Sequence, residues 1–129
     1  MMTTILLAAL ALQTMPAPTL DRWQRVGGDE RGAFAVDPES IRRSGDEVTA
    51  LVRIEVTRGA RTGERVVGVL RYVYDCRADT YRMEAGDLYN ATGAFIGSAP
   101  IPENAPAVPV PPETPNASVR DHLCGARPQ

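Results

Sequence analysis

The run from Glu47 to Thr57 places Val48, Ala50, Val52, Ile54 and Val56 at every second position, with Thr49, Leu51, Arg53, Glu55 and Thr57 between them. A helix, repeating every 3.6 residues, cannot gather such a set onto one side, whereas an extended strand with a period of two does so automatically. The β-branched members also suit a pleated, half-buried surface. The pattern therefore predicts a long strand with one buried face. The following run, Arg65 to Cys76, is apolar on both sides. Leu70, Tyr72, Tyr74 and Cys76 share one side; Val67, Val69 and Val73 share the other, interrupted by Arg71. A strand of this kind needs cover on both faces. One helix supplies one cover, and either the 100–115 segment or a second subunit must supply the other.

Four shorter segments bring the expected number of strands to six. Trp23 to Val26 and Gly32 to Val36 precede the long strand, separated by Gly27, Gly28, Asp29 and Glu30, which read as a turn. Asp37-Pro38-Glu39-Ser40-Ile41 reads as one helical turn capped by Asp37, with Pro38 at the first helical position. Thr80 to Asp87 alternates again, with Tyr81, Met83 and Ala85 expected inward; Ala94 to Ala99 is the last strand. Seven of the 16 residues from Pro100 to Pro115 are proline, which argues against strand or helix and for a stiff, extended spacer. Thr114 as N-cap, Pro115 behind it and Gly125 as a stop then delimit a short C-terminal helix with Val119 and Leu123 on one face. The fold class is α+β.

Ile5 to Leu12 is an apolar run too short to span a bilayer and followed at once by Pro16 and Pro18. It reads as a signal peptide over residues 1–20, leaving one domain over 21–129; the alternative is a short N-terminal core helix, which the prolines disfavour. Export places Cys76 and Cys124, the only cysteines, in an oxidising compartment where they would pair and tie the last helix to the end of the fourth strand. Closing a loop of roughly 50 residues contributes roughly 4 kcal/mol. The other reading is two separate buried thiols.

Composition removes several functions. The chain carries 14 basic residues against 16 acidic ones, so nothing global draws it to nucleic acid or to an anionic membrane. All the basic residues are arginine, so Schiff-base and P-loop lysines are absent. With one histidine, a multi-ligand zinc site is out of reach. Ser118 and His122 are one helical turn apart, but Asp121 points away and cannot orient the imidazole. Asp75, Asp79 and Asp87 lack the spacing of a calcium loop. We therefore assign no catalytic, metal or cofactor residues. From Arg53 to Arg82 arginines outnumber acids, and Arg53, Arg71 and Arg82 are the candidates for a stripe that meets polyanions; the competing reading is an ordinary solvated sheet face.

Trp23-x-x-Val26, Phe34-Ala35-Val36-Asp37-x-x-Ser40-Ile41-x-Arg43-x-Gly45-x-x-Val48, Tyr74-Asp75-Cys76 and a late Cys124, in this order, resemble the surface-adhesin E family of small proteins exported by Gram-negative bacteria. The similarity runs from Trp23 to Cys124. It implies a six-stranded antiparallel sheet with a C-terminal helix tethered by a disulfide, and a non-enzymatic module that binds host-matrix proteins such as vitronectin and laminin. Homodimers are also implied. Family members held at the outer membrane carry a lipidated cysteine, and no cysteine lies near this leader. The expected function is thus an exported binding module, periplasmic or at the cell surface, without a transmembrane anchor, for a host-matrix or envelope macromolecule. The alternative is a periplasmic structural or envelope-maintenance domain.

Overall fold

Alternation in the two long runs produces the two longest strands of the sheet. The computed structural model describes residues 22–29, 32–58 and 63–125. The leader read at 1–20 and residues 59–62 lie outside the described residues. In chain order the elements are β1 (Gln24–Asp29), β2 (Gly32–Val36), a 3-10 turn (Pro38–Ser40), β3 (Arg42–Ser44), β4 (Glu47–Arg58), β5 (Glu64–Asp75), β6 (Thr80–Asn90), β7 (Phe95–Ser98), β8 (Val108–Pro109) and helix α1 (Pro115–Cys124). All strand pairs are antiparallel, in the path β1-β2-β4-β5-β6-β7, with β3 added to β4 and β8 added to β6. The six strands expected from sequence form that path.

Three local expectations are corrected. Gly27 to Asp29 continue β1 instead of turning. An irregularity at Val26 lets the strand bend, and Gly27 pairs with Phe34. A glycine is needed there because α1 lies against it: a Cβ at Gly27 would come within 2.8 Å of the Ser118 Cβ. In β6, Glu84 is an extra residue between Met83, opposite Tyr72, and Ala85, opposite Arg71. Such a bulge reverses the alternation beyond it. Ala85 consequently shares the face of Arg71, and Met83 is 36% exposed. Finally, the proline-rich segment does form a two-residue strand, β8, whose Val108 and Pro109 pair with Tyr81 and Thr80. An edge position is where a sheet tolerates a residue without an N–H.

The main core lies on one face. Val36, Val48, Ala50, Val52, Leu70, Tyr72 and Tyr74 from the sheet pack with Ala117, Val119 and Leu123 from α1. Val119 and Leu123 are fully buried, as their spacing on one helical face predicts. Val110 joins the same cluster, and its N–H donates to the Asp79 carbonyl at 3.1 Å. The proline-rich segment therefore runs over the helix-bearing face. It does not cover Val67, Val69 and Val73, which are buried without it. Val67 and Val69 cluster instead with Tyr89, and Trp23 packs against them.

Candidate functional site

The sheet has two sides with different chemistry, and α1 explains the first. Thr114 accepts a hydrogen bond from the Ala117 N–H at 3.2 Å, Pro115 follows as the first helical residue, and Gly125 closes the helix with its N–H on the Asp121 carbonyl. Cys76, just past β5, is disulfide-bonded to Cys124 at the end of α1. Beside this bridge Arg120 is buried. Its Nε lies 2.9 Å from an Asp79 carboxylate oxygen and its Nη1 lies 3.0 Å from Asp121. It also donates to the Cys76 and Gly125 carbonyls. A single guanidinium thus repeats without covalent chemistry the link that the cystine makes, joining the last helix to the turn after β5. Sequence reasoning missed this role for Arg120. The signal was available only as a cationic residue within an otherwise apolar helical face.

Three tyrosines line the same face. Tyr72, Tyr74 and Tyr81 have ring centroids 5.8–5.9 Å apart, and the Tyr74 hydroxyl donates to the Asn116 side-chain oxygen. Burial, and secondarily the neighbouring phenols, push the Tyr72 and Tyr74 hydroxyls well above the ordinary tyrosine range. These phenols stay neutral and structural at any physiological pH.

The residues weighed for catalysis and metal binding occupy separate places. Ser118 sits against Gly27, His122 is exposed, and Asp121 is engaged by Arg120. Asp75 accepts from the N–H groups of Arg77 and Ala78 and so shapes the turn after β5. Asp79 pairs with Arg120 on the other side of that turn. Among the described residues, no group of three or more His, Cys, Asp or Glu side chains comes together.

The other side of the sheet carries the arginines. Arg53, Arg71 and Arg82 all lie on it, but in different states. Arg53 is only 9% exposed and pairs with Glu55 at 3.1 Å; Glu55 also holds Arg65. Arg82 pairs with Glu84 at 2.8 Å. Arg71 is exposed and has no ion pair among the described residues. Arg71 borders an open cleft of about 470 Å³ with Arg42, Ser40, Thr49, Leu51 and Glu84. Arg42, which sequence reasoning did not single out, is brought there because β3 pairs with β4 and sets Arg42 opposite Thr49. Tyr89 stacks edge-on against Phe95, whose side is 59% exposed at the sheet's edge, beside Ile96 at 47%.

No curated protein and no solved structure shows significant similarity to this chain. No helix among the described residues is long and apolar enough to cross a membrane. One family model, described as surface-adhesin protein E, matches residues 23–125, a span that runs from the Trp23 that packs under Val67 to the Gly125 that ends α1. By that match over most of its length, the chain belongs to the surface-adhesin protein E family.

Proposed function

We propose that this protein is an exported, non-enzymatic binding module that holds a host-matrix or envelope macromolecule on the sheet face opposite α1. One observation carries the reading: the two faces are unequal. One is sealed by a disulfide-tethered helix and the proline-rich segment, while the described residues place no helix on the other, which displays the unpaired Arg71 guanidinium beside Arg42. Family membership supports an adhesin-like role for such a face. The polyanion stripe proposed from sequence narrows accordingly. Arg82 is paired with Glu84, and Arg53 is nearly buried and shares Glu55 with Arg65, so Arg71 is the member of the three that is exposed with no ion pair among the described residues. Guanidinium groups favour sulfate, phosphate and carboxylate partners because their fork matches two acceptor oxygens.

Capture of purified oxidised protein on immobilised heparin tests the charge component. Retention that weakens as salt rises supports the reading, and retention indifferent to salt, or none, defeats it. Location is tested separately. An impermeant antibody that labels intact cells supports surface binding, whereas labelling only after outer-membrane rupture supports a periplasmic maintenance role. A homodimer belongs to the same proposal, with Phe95 and Ile96 at the β7 edge as the apolar contact. Light scattering that reports a monomer at high concentration removes it.

A further inference from the structure

The cleft beside Arg71 has more chemical detail than a generic basic patch. Arg42 spends one nitrogen, Nη1, on the carbonyls of Glu39 and Ile41, which anchors its guanidinium and leaves Nε and Nη2 uncommitted. Arg71 lies across the cleft, one row along the sheet, because Leu51 pairs with Arg71 on β5 while Thr49 pairs with Arg42 on β3. The fourth side is Glu84. It shares the face of Arg82, two residues earlier in β6, and one of its oxygens is held by Arg82 at 2.8 Å. Its second oxygen has no hydrogen bond among the described residues. Ser40 has its only proton on the Asp37 carbonyl and accepts from the Leu51 N–H, so it has no donor left for a ligand and serves as wall. Thr49 keeps a hydroxyl, and Leu51 contributes apolar surface to the floor.

This set rejects the simplest ligands. A bare anion gains from two guanidinium groups but faces the Glu84 carboxylate. A neutral sugar satisfies Glu84 and Thr49 with hydroxyls but leaves both arginines without an anion. A ligand with an oxyanion at one end and hydroxyl donors a few ångströms away satisfies both ends, and an ester sulfate or phosphate offers three terminal oxygens to two forks. The volume lies within the range of small-molecule sites. We infer that the cleft between β3, β4, β5 and the β6 bulge binds a saccharide unit carrying one sulfate or phosphate ester, with Arg71 and Arg42 on the ester and Glu84 accepting from a ring hydroxyl. This inference rests on the binding-face reading above and names the chemistry it recognises.

The test is an amide NMR titration of the oxidised protein with four probes: N-acetylglucosamine 6-sulfate, N-acetylglucosamine 6-phosphate, unmodified N-acetylglucosamine and inorganic sulfate. At least one ester should give saturable shifts centred on Thr49, Leu51, Arg71 and Glu84, with the parent sugar and inorganic sulfate at least tenfold weaker. A preference for the sulfate ester points to a host glycan as source, and one for the phosphate ester points to an envelope saccharide. Arg71→Gln and Arg42→Gln, each checked for an unchanged melting curve, should each weaken the ester at least tenfold. Glu84→Gln should remove the advantage of the ester over inorganic sulfate. Esters no tighter than the parent sugar, shifts centred elsewhere, or Arg71→Gln binding as tightly as the unaltered chain overturns the inference. Macromolecule capture that persists when no ester binds sinks the cleft alone. Ester binding without any macromolecule capture sinks the module reading and leaves the cleft standing.

Discussion

Strand β5 offers Leu70, Tyr72 and Tyr74 to one side of the sheet and Val67, Val69, Arg71 and Val73 to the other, and the two sides reach burial by different means. On the helix side, close packing of apolar side chains is backed by a cystine and by a buried guanidinium with four acceptor groups. On the arginine side, Val67 and Val69 pack with Tyr89 and Trp23, and the surrounding charged side chains are held by ion pairs such as Arg53–Glu55. The first arrangement resists rearrangement, since helix, turn and proline-rich segment all meet at Asp79, which faces Arg120 and accepts from Val110. The second has a rim of side chains able to change partners. A small domain can thus place its firmest packing on one face and leave polar chemistry on the other.

The largest break in this comparison is expected at alkaline pH. Tyr72 and Tyr74 are neutral when protonated, and burial raises their folded pKa above the ordinary value near 10. Their contribution to stability is whole below pH 10 or so and falls away as pH climbs from there toward the folded values. Phenolate absorbance should therefore show these two tyrosines ionising together with loss of the far-ultraviolet strand signal. Their ionisation within an intact sheet would mean that the helix side is looser than described. Next comes Cys124→Ser. Opening a link between residues 48 apart in sequence should cost about 4 kcal/mol in urea denaturation. Indifference to this change would mean that the Arg120 contacts suffice alone.

Leu123→Ala should cost about 3 kcal/mol, because a fully buried helix residue leaves a cavity that a tethered helix cannot close. Val69→Ala, equally buried but on the arginine side, should cost about 1.5 kcal/mol, since fewer methyl groups are lost and flexible neighbours can settle into the gap. Equal costs for these two, measured by the same denaturation, would erase the distinction between a stiff and an adaptable face. Smallest is Arg71→Gln, which should leave stability within about 0.5 kcal/mol while abolishing salt-dependent heparin retention.

Much of the fold was legible in residue order. The alternation of β4, the two-sided β5 and the Thr114-Pro115…Gly125 punctuation of α1 are local signals, and each is realised where the residues place it. The Asp37-Pro38 turn is realised as a 3-10 turn with the Asp37 carboxylate accepting from Glu39. What escaped notice depended on neighbours. Gly27-Gly28 looks like a turn until Ser118 arrives and requires a strand without a side chain. The bulge at Glu84 has no sequence mark, and it moved Ala85 across the sheet. The candidate site was legible only in part. Arg53 and Arg82 each have a glutamate two residues on, Glu55 and Glu84, which a strand puts on the same face, whereas Arg71 has Val73 there; that difference could have been read from the sequence.

Taken by itself, the order of residues determined the strands, their inward sides, the helix ends and the two sulfurs available to join, because period, capping and cysteine number act over a few positions or need no distance at all. Tertiary structure alone decided that Arg42 stands near Arg71 and that the proline-rich segment lies with α1 on one face. Those outcomes depend on which side chains approach within a few ångströms across the sheet. A one-residue bulge or a close helix contact shifts that proximity without changing any local pattern.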